Sequence, residues 1–233
     1  THVDRSIDNP TPFIRTNVLG TFQLLETARE YYYKLSSRAS DTFRLLHVST
    51  DEIYGDYFGC ENFACEQSPY RPSSPYAASK SSADHLVRSW YRTYGLPIII
   101  TACTNNYGPY QHDEKLIPKT ITELIHARKM TLYGDGEAVR DWLYVDDHVD
   151  ALLKVLFNGI VGETYNIAGH NQTSNILIVS KICEILDELR PLTVLGLEKE
   201  YKDLIHYGPD RPGHDFCYSV DATKIKLSLD WQP

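Results

Sequence analysis

The chain has 233 residues, of which 42% are hydrophobic and 23% charged, a balance that supports a large globular unit with a sizeable core. A formal net charge of −8 excludes a broad basic face for nucleic acid or an anionic membrane, but leaves room for a few arginines around a small anion. No apolar run approaches the roughly 20 residues of a membrane helix, and the five cysteines contain no Cys-x-x-Cys, which points to reduced thiols in a reducing, cytoplasmic setting.

The sequence opens on Thr1, with no Met or signal-like region, inside a stretch (THVDRS) that reads as functional. The expectation is of a chain lacking its natural start. Thr11 suits a helix cap and Pro12 a first helical position, and Phe13, Phe22, Leu25, Ala28 and Tyr32 recur at helical spacing, predicting a helix over residues 12–33. A polar loop (SSRASDT) leads into a short apolar strand, FRLLHVS. Residues 58–75 read as loop, and residues 76–94 as a helix stopped by Gly95 and Pro97. LPIIITACTNNYG predicts a strand buried on both faces, LIPKTITELIHAR a helix, DWLYVDD a strand and DHVDALLKVLF an amphipathic helix. ETYNIAG and NILIVSKICEILDEL add a strand and a helix. This alternation predicts an α/β, doubly wound parallel sheet over residues 1–170, with a smaller C-terminal lobe over residues 171–233.

Two features carry chemistry. The strand in RLLHVSTDEIYG ends in Ser49 and Thr50, followed by the adjacent acids Asp51 and Glu52. Two close carboxyls separate their proton affinities, leaving one protonated and one ionised. Tyr76 and Lys80 form a Tyr-x-x-x-Lys pair on one helix face, where an ammonium would lower the phenol pKa and make Tyr76 a general base. Each has an ordinary explanation alone: a capped turn for the acids, a solvated pair for the tyrosine and lysine. Asn105 and Asn106 follow a further strand, so three polar clusters fall at strand ends, where open parallel sheets bind ligands.

HVSTDEIYG, SPYAASKSSADHLVRSWYRTYGLP, NNYGPYQHDEKLIP, YGDGEAVRDWLYVDDH, GETYNIAGHN and DRPGHD resemble the dTDP-glucose 4,6-dehydratases, extended members of the short-chain dehydrogenase/reductase superfamily. The resemblance runs from THVDRS to the final LDWQP. It implies a Rossmann-like fold, a tightly held NAD, a dTDP-glucose substrate and a homodimer formed through helices 12–33 and 76–94. It implies oxidation at C4, loss of water across C5 and C6, and return of hydride at C6. Carried to matching positions, Tyr76 is the base for the C4 hydroxyl, Lys80 its partner and a ribose ligand, and Thr50 bonds the same hydroxyl. Asp51 would protonate the departing C6 hydroxyl, and Glu52 would remove the C5 proton.

Arg140 and Arg211 resemble residues that contact the diphosphate, for which guanidinium forks suit. The alternative for both is surface pairing with Asp141 and Asp210. Thr1, Asn105, Lys115, Leu116, Tyr133, Asn175 and His214 match further substrate positions, and Thr16 and Asn106 match cofactor-side positions. Residues 1–170 would then be the rest of an NAD-binding domain with interleaved substrate elements, and 171–233 mainly a nucleotide-sugar lobe. No metal site is expected, since HxxxH and HExxH are both lacking. No Gly-x-x-Gly-x-x-Gly occurs among the 13 glycines, so the pyrophosphate cradle of the family is not written in this chain. A UDP-sugar dehydratase or epimerase, or an inactive nucleotide-sugar-binding fragment, are the alternative functions. Cys60 and Cys65 match nothing expected of the family.

Overall fold

The computed structural model describes residues 3–60 and 63–233. Helix α1 (Val3–Asp8) precedes a long helical run made of α2 (Thr11–Phe13), a π-helical segment Ile14–Leu19 and α3 (Gly20–Tyr32). The short helix α4 (Ser37–Ser40) occupies the expected loop. Strand β1 (Leu45–Thr50), α5 (Pro75–Tyr94), β2 (Ile98–Cys103) and β3 (Asn105–Tyr107) follow. Next come α6 (Leu116–Ile125), β4 (Met130–Tyr133), β5 (Val139–Tyr144), α7 (Val145–Asn158) and β6 (Thr164–Ile167). The chain closes with β7 (Gln172–Ser174), α8 (Asn175–Leu189), β8 (Ile205–Gly208) and α9 (Thr223–Leu229).

The helix starts follow local chemistry, with one departure from expectation. Thr11 does not cap: Pro10 holds the cap position, and the Thr11 N–H donates to Asn9 Oδ1 at 3.3 Å. Helix α5 does start as capping rules require. Ser74 Oγ accepts from the Ala77 N–H, Pro75 sits in the first turn, and Gly95 ends the helix at φ 68°.

The main sheet runs β1-β2-β6, all parallel, with Thr50 opposite Cys103 and Ile100 opposite Thr164. Ile98 and Ile100 pack with Leu25 of α3 and Val87 of α5, whereas Ile99 packs with Ala151 and Val155 of α7. Helices therefore cover both faces, as the unbroken β-branched run requires. In a smaller sheet β3 lies parallel to β5 and β5 antiparallel to β7, and β4 pairs with β8. A second core joins Leu124, Met130 and Leu132 to Val179, Cys183, Tyr201 and Leu204. Two stretches separated by α7 and β6 thus build the second lobe, while Ile225 and Trp231 return to the first core. Among the described residues no helix is long and apolar enough to cross a membrane.

Candidate active site

Thr50 ends β1 and organises the turn after it. Its Oγ1 accepts from the Glu52 N–H at 3.4 Å and donates to Asp51 Oδ1 at 3.2 Å. Residues Asp51–Tyr54 form one 3₁₀ turn, ended by Gly55 at φ 80°. A Cβ at Gly55 would collide with the carbonyl oxygen of Arg71, so the sharp exit needs glycine on both counts. The turn aims both acids inward. Asp51 Oδ2 and Glu52 Oε2 are buried, with no hydrogen-bond partner among the described residues. Orphaned carboxylate oxygens of this kind point to a ligand that completes them.

Burial, with the neighbouring Glu52 carboxyl second, pushes Asp51 up from 3.8 to about 8. Burial also raises Glu52, but Arg140, Arg211 and Lys115 all pull it back down. Two adjacent acids thus meet different fields, and Glu52 has the more cationic surroundings.

Helix α5 brings the phenol and ammonium to the same place. Tyr76, Lys80, Thr50, Asp51, Glu52 and Asn106 line one cavity of about 350 Å³. Tyr76 is anchored through its N–H, which donates to Ser6 Oγ at 3.1 Å, and by an edge-on contact with Phe13. The expected lowering of the Tyr76 pKa is corrected here: burial first, then the Glu52 carboxylate, push it up. Lys80 donates to the Val48 carbonyl at 2.7 Å, and burial lowers its own pKa. The helix is joined to β1 through Asp84, fully buried, which is bonded to His47 Nε2 (3.0 Å), Ser49 Oγ (2.8 Å) and Tyr70 OH (3.0 Å). His47 is thus engaged in joining strand to helix.

A second cavity of about 590 Å³ shares Glu52, Asn105 and Lys115 with the first. Leu116 opens α6 on its wall, Tyr133 ends β4 there, and Asn175 starts α8 there. Arg140, Arg211 and His214 complete the set. Arg140 is 5% exposed and does not pair with Asp141, whose carboxylate accepts instead from the Gly169 and Asn171 N–H groups. Its guanidinium donates to the carbonyls of Val139, Asp215 and Phe216 and to His214 Nε2 (2.9 Å), and stacks 4.4 Å from the Tyr218 ring. Since Nε2 accepts, Nδ1 of His214 carries the proton and donates to Asp210 Oδ1 at 2.7 Å. Asp210 is therefore occupied by His214, and the Arg211 guanidinium pairs instead with Asp4, at 3.5 Å.

Arg140→Ala is expected to destabilise the fold by about 3–5 kcal/mol, because the carbonyl oxygens and His214 Nε2 are left unpaired in the interior. For a chain of this size that is a fall in Tm of roughly 6–20 °C in a thermal melt. A fall under about 2 °C would show that the network contributes little.

One expected site residue, Thr16, lines neither cavity. Thr1 lies outside the described residues. Thr16 is exposed, whereas its successor Asn17 lines the Tyr76 cavity and donates to Ser79 Oγ at 2.9 Å. Cavity residues not read from the sequence include Asn17, Gln111, Asp4 and Tyr218. Asp4 was legible in principle, since it lies inside the THVDRS stretch.

The chain as a whole, residues 1–233, matches the family model described as GDP-mannose 4,6 dehydratase. The chain belongs to that family. In the family it is similar to the dTDP-glucose 4,6-dehydratase of Neisseria meningitidis serogroup B, 53% identical over 232 residues, covering 100% of this chain and 65% of that protein. The dTDP-glucose 4,6-dehydratase of Haemophilus influenzae is 51% identical, with 100% of this chain and 68% of that protein covered. Among solved structures, DesIV, a dTDP-glucose 4,6-dehydratase from Streptomyces venezuelae with NAD and TYD bound, superposes with a TM-score of 0.85 at 41% identity, covering 100% of this chain and 65% of that one. The chain therefore spans about two thirds of the length of these dehydratases. The parallel β1-β2-β6 sheet with helices on both faces is the Rossmann-type arrangement of the family.

Proposed function

We propose that this chain carries the substrate-side machinery of a dTDP-glucose 4,6-dehydratase, a lyase that makes dTDP-4-keto-6-deoxyglucose. The observation that carries this reading is the pair of inward carboxyls with orphaned oxygens on the wall of the Tyr76–Lys80 cavity, Glu52 also lining the larger cavity with Arg140 and Arg211. The residues present fit the nicotinamide-ribose end of NAD: Asn106 Oδ1 and Gln111 Oε1 are buried and unpartnered in the cavity that holds Tyr76 and Lys80. NAD bound there would supply the hydride acceptor for C4 and the donor for C6.

Tyr76 is assigned the proton of the C4 hydroxyl, with Thr50 bonded to the same oxygen and Lys80 holding the ribose. Burial raises the Tyr76 phenol, a cost that the positive charge of bound NAD would offset. Glu52, drawn toward its ionised form by three cations, removes the C5 proton, which the C4 ketone has acidified. Asp51, protonated up to about 8, gives its proton to the departing C6 hydroxyl. Arg140 and Arg211 face the diphosphate, and Asn105, Lys115, Leu116, Tyr133, Asn175 and His214 surround the rest of the substrate. The test incubates the full-length protein with dTDP-glucose and with UDP-glucose and assays the 4-keto-6-deoxy sugar by its absorbance in alkali. Product from neither nucleotide sugar would sink the proposal.

The same reading includes a homodimer through helices 12–33 and 76–94. Leu19, Leu24, Tyr31 and Tyr33 are 57–68% exposed on the first of these, and Tyr91 and Tyr94 are exposed on the second, a surface a four-helix contact would cover. Light scattering of the full-length protein is expected to give twice the chain mass, and a monomer would defeat this part.

A further inference from the structure

The larger cavity contains an acid that the chemistry above does not use. Asp4, on α1, stands beside Arg211 with Oδ1 3.5 Å from the guanidinium, while Oδ2 accepts from Tyr133 OH at 3.1 Å. Both partners are residues assigned to the substrate. Helix α1 itself is held from several sides. Ser6 of the same helix accepts from the Tyr76 N–H, and Arg5 is ion-paired with Glu114. Asp4 also acts on Lys115, whose ammonium it helps to keep charged. Arg211 in turn is loosely engaged: Asp4 is its ion-pair partner among the described residues, and its buried Nε has no acceptor.

A fixed anion beside the arginine assigned to a diphosphate has a definite electrostatic sign. We infer that Asp4 is an affinity-setting residue: it shares Arg211 with the entering diphosphate and holds the affinity for nucleoside diphosphates below what Arg140 and Arg211 alone would give. This inference rests on the dehydratase reading. Like charges a few ångströms apart repel in proportion to the ligand's charge, and the site is partly screened by solvent. Removing the Asp4 charge should therefore tighten binding, and most at low salt. Were Asp4 there to hold Arg211 in place, its removal would weaken binding instead.

The experiment is isothermal titration calorimetry of the full-length protein with thymidine diphosphate, at low and high salt, for the wild type, Asp4→Asn and Asp4→Glu. Asp4→Asn keeps an acceptor for Tyr133 and removes only the charge. Its Kd is expected to fall about ten-fold at low salt, with the gain shrinking as salt rises. Asp4→Glu, which keeps the charge, is expected to bind within about two-fold of the wild type. An Asp4→Asn protein that binds no more tightly, or a gain indifferent to salt, overturns the inference while leaving the dehydratase reading standing. A wild-type protein with no affinity for thymidine diphosphate overturns both.

Discussion

Glu52→Gln in the full-length protein is expected to halt the reaction between oxidation and elimination. Gln keeps the volume of the side chain in the turn after β1 but cannot accept the C5 proton. General base catalysis of this type is worth about 10²–10⁴-fold, so turnover to the 4-keto-6-deoxy product should fall by that factor. The C4 oxidation depends on Tyr76 and Lys80 and should persist, so reduced nicotinamide should build up on the protein and be visible by fluorescence. Normal turnover in this variant would remove Glu52 from the proposed role. Loss of turnover with no reduced nicotinamide would place Glu52 earlier in the sequence of steps.

Asp51→Asn should divide stability from activity. In the folded protein burial holds the Asp51 proton up to about 8, whereas an unfolded chain releases it near 3.8. Between those values the folded state binds more protons than the unfolded state, so stability falls as pH rises from about 4 to about 8 and then levels off. An uncharged amide has no such cost. Asp51→Asn is expected to be more stable than the wild type at neutral pH and above, by an amount on the order of a few kcal/mol. The advantage should close as pH falls toward 4. Turnover should fall, since no acid remains to assist the departing hydroxyl. Thermal melts across pH check the first point, and a difference in Tm independent of pH would show that the Asp51 proton is not its source. Strain of this kind, a group held in the form that function needs at the expense of folding, is the familiar stability–activity trade-off.

Much of this arrangement was legible in the chain because it rests on local chemistry. Strand β1 and helix α5 declare themselves through an apolar run and through Ser74, Pro75 and Gly95, and the motif residues sit at their ends. Elements with weaker local signals were not legible. Strands β4, β7 and β8 have only three or four residues each, and their existence depends on partners far along the chain. The π-helical segment Ile14–Leu19 was not legible either, since neither composition nor spacing betrays it. Burial likewise outweighed the ammonium expected to act on Tyr76, because the depth of a side chain is a property of the whole fold.

Asp84 has a mechanical consequence. It ties His47 and Ser49 on the strand to the helix that bears Tyr76 and Lys80, by two bonds into one carboxylate sealed from water, with a third from Tyr70 of the intervening loop. The candidate base and the two acids belong to different elements, and this buried carboxylate bridges them. The Tyr133 and Asn175 side of the larger cavity is built on the second core instead. The fold therefore divides the walls of the candidate site between two cores, with Glu52, Asn105 and Lys115 at the seam that the two cavities share.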